Sequence, residues 1–366
     1  MRKLVALDLP CGDLFLSNVK DAWDAGDAVL PLDQRFPHEM KERIVKQFGA
    51  SIVISERGES LVSGTAVESE DALVITTSGT SASPKGVVLS HEALTASSQM
   101  TSSALSVDHD SDVWLCCLPV SHISGFSVIS RALHTGTRLE LHSSFDAASC
   151  EQAGHDGVSL VSLVPAALNR VDATAFRKIL VGGSSMPSKL PANAVQTYGM
   201  TETGSGVVYD GFPLDKVKLD IRDGEIFIQS PSLFRTYRGE MPSLQSGWFA
   251  TGDAGHIAES GKLVVSGRLD DAIITGGEKV WPALVERHLL SLQLFREVMI
   301  VGRPDDEWGQ VITAVAVLLD PNEIPKIENI RERLNAFLPR FALPKAIEIV
   351  ESLPRNHSGK LLRKLV

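Results

Sequence analysis

The densest group of chemically useful residues is Thr77-Ser78-Gly79-Thr80-Ser81-Ala82-Ser83-Pro84-Lys85-Gly86-Val87. Glycines let a backbone approach a ligand closely. Backbone N–H groups and hydroxyls can surround phosphate oxygens, and a lysine adds a compact positive charge. That set suits a nucleoside triphosphate. The loop is not a Walker A sequence, because Pro84 stands where glycine would precede Lys85 and Gly86 stands where a serine or threonine would hold magnesium. Taken alone, a solvated Ser/Gly surface loop fits the same residues.

Further candidates follow in order along the chain. Tyr198-Gly199-Met200-Thr201-Glu202-Thr203 offers a carboxylate, a hard oxygen ligand suited to Mg²⁺, beside threonine hydroxyls; a capped helix start is the other reading. Val181-Gly182-Gly183-Ser184 ends an apolar run in two glycines, which a plain tight turn would also explain. In Gly247-Trp248-Phe249-Ala250-Thr251-Gly252-Asp253, Asp253 could accept from two vicinal hydroxyls or simply sit in a turn. Gly267-Arg268-Leu269-Asp270-Asp271 comes next, then Ile274-Thr275-Gly276-Gly277-Glu278, and last Pro354-Arg355-Asn356-His357-Ser358-Gly359-Lys360, where a basic tail is the alternative to a functional lysine.

The elements that must position these groups are legible only coarsely. Short apolar runs at Leu4–Leu9, Ala28–Leu32, Ser51–Ser55, Leu73–Thr77, Val113–Leu118, Arg138–Leu141, Leu160–Val164 and Lys178–Val181 read as strands. Helical spacing marks about 37–49, stopped by Gly49, and a helix starting at His91 with Ser90 as its N-cap; 125–135 and 165–169 are further helical stretches. The loop at 77–87 therefore reads as strand, loop, helix. Alternating strands and helices predict an α/β layered fold with a partly parallel sheet. After about 205 the pattern turns to strands and turns, with Asp223-Gly224 as a hairpin signal, predicting a small antiparallel sheet or barrel. The final stretch predicts an α+β domain, with helices over 281–292 and 327–338 and strands over 298–302, 312–319 and 346–350.

Composition bounds the function. The 366 residues are 43% hydrophobic and 22% charged, ordinary for a globular chain long enough for two domains. A formal net charge of −10 disfavours a broad grip on nucleic acid or anionic lipid. Four cysteines lack Cys-x-x-Cys spacing and suggest neither zinc nor a disulfide framework, so a cytoplasmic protein is expected. A secretory or lipoprotein leader ending at Cys11 is disfavoured, because Asp8 and Pro10 interrupt an apolar run already too short.

The ordered set resembles the adenylate-forming superfamily of acyl-CoA synthetases, luciferases and peptide-synthetase adenylation domains. The usual loop there is Thr-Ser-Gly-Thr-Thr-Gly-x-Pro-Lys-Gly-Val, and this chain departs by Ser81 and Ala82. The resemblance implies a large N-terminal domain over 1–269, short at its N-terminus, and a mobile C-terminal lid over 270–366 hinged near Asp270. It implies that Thr77, Ser78, Gly79, Thr80, Ser81 and Lys85 bind ATP with Gly183, Ser184, Tyr198, Asp253 and Arg268. Glu202 would hold Mg²⁺, Thr201 would meet the α-phosphate, Lys360 would be the catalytic lysine, and Gly276 and Gly277 would line the path of coenzyme A.

Leu118-Pro119-Val120-Ser121-His122-Ile123-Ser124-Gly125 matches the family's acyl-pocket stretch, and Gly182 borders that pocket by resemblance. Its form and the short chain most resemble the compact 2-succinylbenzoate:CoA ligases of menaquinone biosynthesis. A substrate with a second carboxylate needs a basic or polar counterpart, for which Ser121 and Arg131 are candidates. Arg131 as a solvated helix residue and His122 as a purely structural one remain open. So do a ligase for another aryl or short-chain acid, a module that loads a carrier protein, and a homodimer.

Overall fold

The computed structural model describes residues 2–77, 84–183, 189–240, 244–355 and 362–363. The chain divides into two compact units. The first holds Met1–Met186, Leu190–Asp220 and Phe227–Ala250; the second holds Pro187–Lys189, Ile221–Ile226 and Thr251–Val366.

In the first unit, β1 (Leu4–Asp8), β2 (Ala28–Pro31), β3 (Ile52–Ser55), β4 (Gly58–Leu61), β5 (Asp71–Thr77) and β6 (Lys85–Ser90) belong to one seven-stranded sheet. Strand β1 lies between β2 and β3, parallel to both, and β2 is parallel to β5. Buried Leu4, Ala6, Leu30, Ile44, Phe48 and Val74 pack together beneath α2 (His38–Phe48), which ends on left-handed Gly49. The segment Leu4–Asp8 is thus a central strand.

Two elements differ from expectation. Helix α1 (Asp13–Asp24) was not anticipated: it buries Phe15, Val19 and Ala22 and stops just before left-handed Gly26, but Gly12 gives it no side-chain cap. The loop after Thr77 leads into β6, antiparallel to β5 with Thr77 opposite Lys85, so it closes a hairpin before the helix begins. The buried run Val87-Val88-Leu89 forms that strand. Helix α3 (His91–Ala104) then starts where Ser90 Oγ accepts from Ala93 N at 3.1 Å, the anticipated cap.

The second seven-stranded sheet runs through β7 (Val113–Cys116), β8 (Arg138–Leu141), β9 (Leu160–Leu163), β10 (Lys178–Val181), β11 (Ala194–Met200), β12 (Ser205–Tyr209) and β13 (Phe212–Pro213). Strands β7 to β11 pair in parallel; β12 and β13 close the edge antiparallel. Helices α4 (Ile123–Thr135), α5 (Ala147–His155) and α6 (Pro165–Leu168) lie between successive strands of this sheet in sequence. Small residues join α3 to α4, where Ser98 Oγ meets Ser130 Oγ at 3.2 Å. This is the α/β layered fold.

Strands β14 (Lys218–Arg222) and β15 (Glu225–Gln229) are joined by Asp223 and Gly224, both at positive φ, the conformation a two-residue hairpin turn demands. Strand β16 (Thr236–Tyr237) returns to the edge of the first sheet and pairs antiparallel with β6. Strands β17 (Phe249–Ile257) and β18 (Leu263–Arg268) complete a four-stranded sheet with β14 and β15. Beyond it, β19 (Ile273–Thr275) and β20 (Glu278–Val280) form a hairpin. Helices α7 (Pro282–Ser291) and α8 (Ile327–Leu334) accompany a sheet of β21 (Phe295–Asp305), β22 (Gly309–Leu318) and β23 (Ala346–Ile349). Their core joins Val285, Leu289, Ile300, Ala314, Ile330 and Leu334. Among the described residues, no helix is long and apolar enough to cross a membrane.

Gly86 shows how packing sets a position that the sequence assigns to ligand approach. A Cβ there would lie 2.7 Å from the Phe48 ring. Gly86→Ala is therefore expected to cost about 1–3 kcal/mol of stability, read by urea denaturation, and adding Phe48→Leu should recover part of it.

Candidate active site

Lys85 opens β6, and its Nζ sits 4.4 Å from the centre of the Tyr237 ring. The Tyr237 hydroxyl donates to Glu202 Oε1 at 3.0 Å. One tyrosine thus links the lysine of the Ser/Gly loop to the glutamate of the second candidate stretch. Tyr237 reaches this place because β16 pairs with β6, and Phe234, 4.8 Å away between ring centres, packs beside it. No sequence pattern had marked Tyr237.

Glu202 lies in a 3-10 turn, Thr201–Thr203, that leaves the end of β11. The helix-start reading is corrected to this single turn. Fully buried Thr203 fixes it: its Oγ1 accepts from Met200 N at 2.9 Å and donates to Ser205 O at 2.6 Å. From the other side Phe234 N donates to Glu202 O at 2.8 Å, and Ser232 Oγ to Thr203 O at 2.9 Å. Gly199 is required by the neighbouring strand, since a Cβ would fall 2.2 Å from Ser205 O where the register slips after Tyr198. Tyr198 stands on β11 opposite Val208.

Gly182 is excluded from carrying a side chain by Thr197, whose Oγ1 would lie 2.5 Å from its Cβ, and Gly183 takes a left-handed φ of 91°. Thr77 ends β5. Ser78, Gly79, Thr80, Ser81, Ser184 and Lys360 lie outside the described residues.

Within the second unit, Asp253 and Arg268 face each other across β17 and β18, with Arg268 Nη1 3.1 Å from Asp253 Oδ1 and 2.7 Å from Thr251 O. Thr251 Oγ1 accepts from Asp253 N and donates to Ile226 O, which fixes the buried carboxylate's backbone. Gly252 takes φ 69°, and a Cβ there would press on the Arg268 guanidinium. Asp270 is exposed in the turn Leu269–Asp271. Gly276 and Gly277, both at positive φ, form the two-residue loop between β19 and β20. Gly276 N donates to Trp308 O at 2.9 Å, and Lys345 Nζ lies 4.4 Å from the centre of the Trp308 ring. Downstream of Lys360, Arg363 is clamped by buried Glu286, which also accepts from Ile300 N at 2.7 Å.

Arg131 requires a correction: it is buried, so the solvated-helix reading does not hold. Its guanidinium donates to Ser205 Oγ at 2.6 Å and Ser162 Oγ at 3.2 Å and lies 5.1 Å from the Trp114 ring centre. It meets no carboxylate among the described residues, its Nε has no partner, and burial pulls its pKa below the ordinary arginine value. Ser121 is buried as well, its hydroxyl without a hydrogen-bond partner among the described residues. His122 precedes α4 and contacts a different set: Arg35 Nη2 at 2.9 Å and Asp33 Oδ2 at 3.4 Å. Burial pushes the Asp33 carboxyl up, but the contacts with Arg35 and His122 outweigh it and hold it well below the usual carboxylate range. Asp33 and Arg35, like Tyr237, are additions that the sequence had not marked.

For Mg²⁺ the fit is that of a single carboxylate. Glu202 stands near Lys85 with Oε1 oriented by Tyr237, and among the described residues no cluster of three metal-ligating side chains exists. A magnesium that keeps several waters and takes phosphate oxygens needs no more.

Known proteins match the whole chain. The AMP-binding enzyme family matches residues 62–238, and the AMP-binding enzyme C-terminal domain matches 284–360. The 2-succinylbenzoate–CoA ligase of Bacillus anthracis (strain A0248) is 33% identical across 95% of this chain and 80% of its own length. A protein of Mycobacterium tuberculosis (strain CDC 1551 / Oshkosh) named "Probable 2-succinylbenzoate–CoA ligase" is 35% identical across 86% of this chain and 89% of its own. The o-succinylbenzoate CoA synthetase (MenE) of Bacillus subtilis, solved with the acyl-adenylate intermediate OSB-AMP, superposes with a TM-score of 0.85 at 26% identity, covering 100% of this chain and 88% of that one. The same enzyme solved with ATP and a magnesium ion gives 0.85 and 26%, covering 100% and 89%. With the ordered residues from Thr77 onward and both family domains in place, the chain belongs to the AMP-binding, adenylate-forming enzymes.

Proposed function

We propose that this protein is an AMP-forming acid–thiol ligase that converts 2-succinylbenzoate to 2-succinylbenzoyl-CoA for menaquinone biosynthesis. The observation that carries the choice of acid is Arg131, a buried cation with a free Nε and no carboxylate partner among the described residues. An acid whose second carboxylate reaches it would supply the missing charge. The relatives' names point the same way.

The reaction has two displacements. A substrate carboxylate oxygen attacks the α-phosphorus of ATP and pyrophosphate leaves; the coenzyme A sulfur then attacks the acyl carbonyl carbon, AMP leaves, and the thiol proton passes to solvent. No protein nucleophile is needed. Lys85 and the hydroxyls from Thr77 to Ser81 hold the phosphates, with Gly183 and Ser184 beside the nucleotide and Tyr198 near its adenine. Asp253 and Arg268 hold the ribose. Thr201 meets the α-phosphate, and Lys360 places the carboxylate in line and offsets the charge that builds there. Glu202 would hold Mg²⁺, whose chemistry there would be to offset the negative charge of the phosphates. Ser121, His122, Arg131 and Gly182 shape the acyl pocket.

The C-terminal lid over 270–366 turns about Asp270 between the two steps. That boundary concerns motion, whereas the division near Ala250 concerns packing. After the turn, Gly276 and Gly277 lie along the pantetheine, with half-exposed Trp308 beside them as an aromatic surface for coenzyme A. The four free, buried cysteines support a cytoplasmic location.

Purified protein given ATP, Mg²⁺, coenzyme A and a panel of acids should release AMP and form a thioester with 2-succinylbenzoate. Turnover confined to benzoate or fatty acids would remove the assigned acid, and loading of a carrier protein alone would remove the assigned acceptor. Lys360→Ala is expected to slow adenylation by about 10²–10³-fold while thioester formation from supplied acyl-adenylate stays within a few-fold, as separate single-turnover assays would show. Tyr237→Phe should raise the Mg²⁺ concentration for half-maximal adenylation about tenfold or more, with KM for the acid unchanged.

A further inference from the structure

His122 immediately precedes α4, and its side chain is about one-third exposed. Its Nε2 lies 2.9 Å from Arg35 Nη2. Arg35 in turn grips Asp33 through Nε to Oδ1 at 2.8 Å, Nη2 to Oδ2 at 2.6 Å and its backbone N to Oδ1 at 3.0 Å. Both protons of Nη2 are therefore committed, one to the carboxylate and one to the imidazole. A guanidinium only donates, so Nε2 must accept, and the ring is neutral with its proton on Nδ1. Asp33 Oδ2 lies 3.4 Å from the same Nε2. A ring protonated there could turn to that carboxylate, but it would set a second cation against Arg35. Nδ1 has no hydrogen-bond partner among the described residues.

We infer that Arg35 is a positioning residue that holds His122 as the neutral Nδ1–H tautomer, so that the acyl pocket offers one donor to an oxygen of the bound acid. The inference rests on reading His122 as an acyl-pocket residue. Acids with a keto or carboxylate oxygen within reach gain a bond that hydrocarbon acids of equal size cannot make, which makes Arg35 a determinant of specificity from outside the recognised stretches. Asp33 holds the guanidinium in the orientation that serves the ring.

The test uses the full chain with ¹⁵N-labelled histidine, the His122 signals being assigned by their loss in His122→Gln. Long-range ¹H–¹⁵N spectra should show Nδ1 protonated and Nε2 unprotonated. The double variant Asp33→Leu, Arg35→Met removes the donor without stranding a buried carboxylate; it should shift the ring toward the Nε2–H tautomer and raise KM for the acid about tenfold, as expected for one lost hydrogen bond, with KM for ATP unchanged. Arg35→Lys keeps a donor and should keep the Nδ1–H tautomer. An Nε2–H ring or an imidazolium in the unaltered protein at neutral pH would overturn the inference, as would a double variant with unchanged tautomer and KM. If His122→Gln raises KM for the acid while the double variant does not, only the role of Arg35 fails. If His122→Gln leaves that KM unchanged, the acyl-pocket reading fails and takes the inference with it.

Discussion

A guanidinium buried among two serines and a tryptophan, with no carboxylate to meet it among the described residues, is the constraint around which the second sheet is arranged. Taking an unpaired cation out of water costs several kcal/mol even after the surroundings relax. Ser162 on β9, Ser205 on β12 and the face of Trp114 on β7 return part of that cost to Arg131, and they do so only while α4 lies across those strands. The same difficulty recurs on a smaller scale at Lys85, whose charge rests on a tyrosine ring. Arg268 is met by the Asp253 carboxylate, but the described partners that steady Arg131 and Lys85 carry no charge. Those partners are polarisable groups: indole, phenol and hydroxyl.

Glycine has a double meaning in this fold. Gly86, Gly182 and Gly199 stand in stretches whose composition suggests close approach by a ligand, and in each case the nearest obstacle to a side chain is the protein itself: Phe48, Thr197 and Ser205. The signature residues of the site are thus partly signatures of tight layer packing. This explains how short stretches with modest individual information can mark both a fold and a chemistry.

What was legible in the sequence was whatever sits in a contiguous run. The chemistry-bearing stretches, the Ser90 cap, the Gly49 stop and the Asp223-Gly224 turn each carry their signal within a few residues, because hydrogen bonds close locally there. Tyr237 and Arg35 were not legible: their partners, Glu202 and His122, are remote in the chain and meet them only through sheet pairing and layer packing. Helix α1 escaped for the opposite reason: its signals are local, but Gly12 opens it without a capping side chain. Strand β6 was hidden because Pro84 and Gly86 make its start resemble the end of a loop.

The two residues of β16 have a consequence for how the protein comes into being. Thr236 pairs with Val88 and Tyr237 with Val87, so the edge of a sheet begun by the first residues is completed by residues made far later. On a ribosome adding about 5–20 residues each second, Lys85 emerges well before the ring on which it rests and before Glu202. Until that late segment arrives, the nascent chain carries Lys85 without Tyr237 and Glu202. Closure of that edge of the first sheet waits for residues near the end of the first unit.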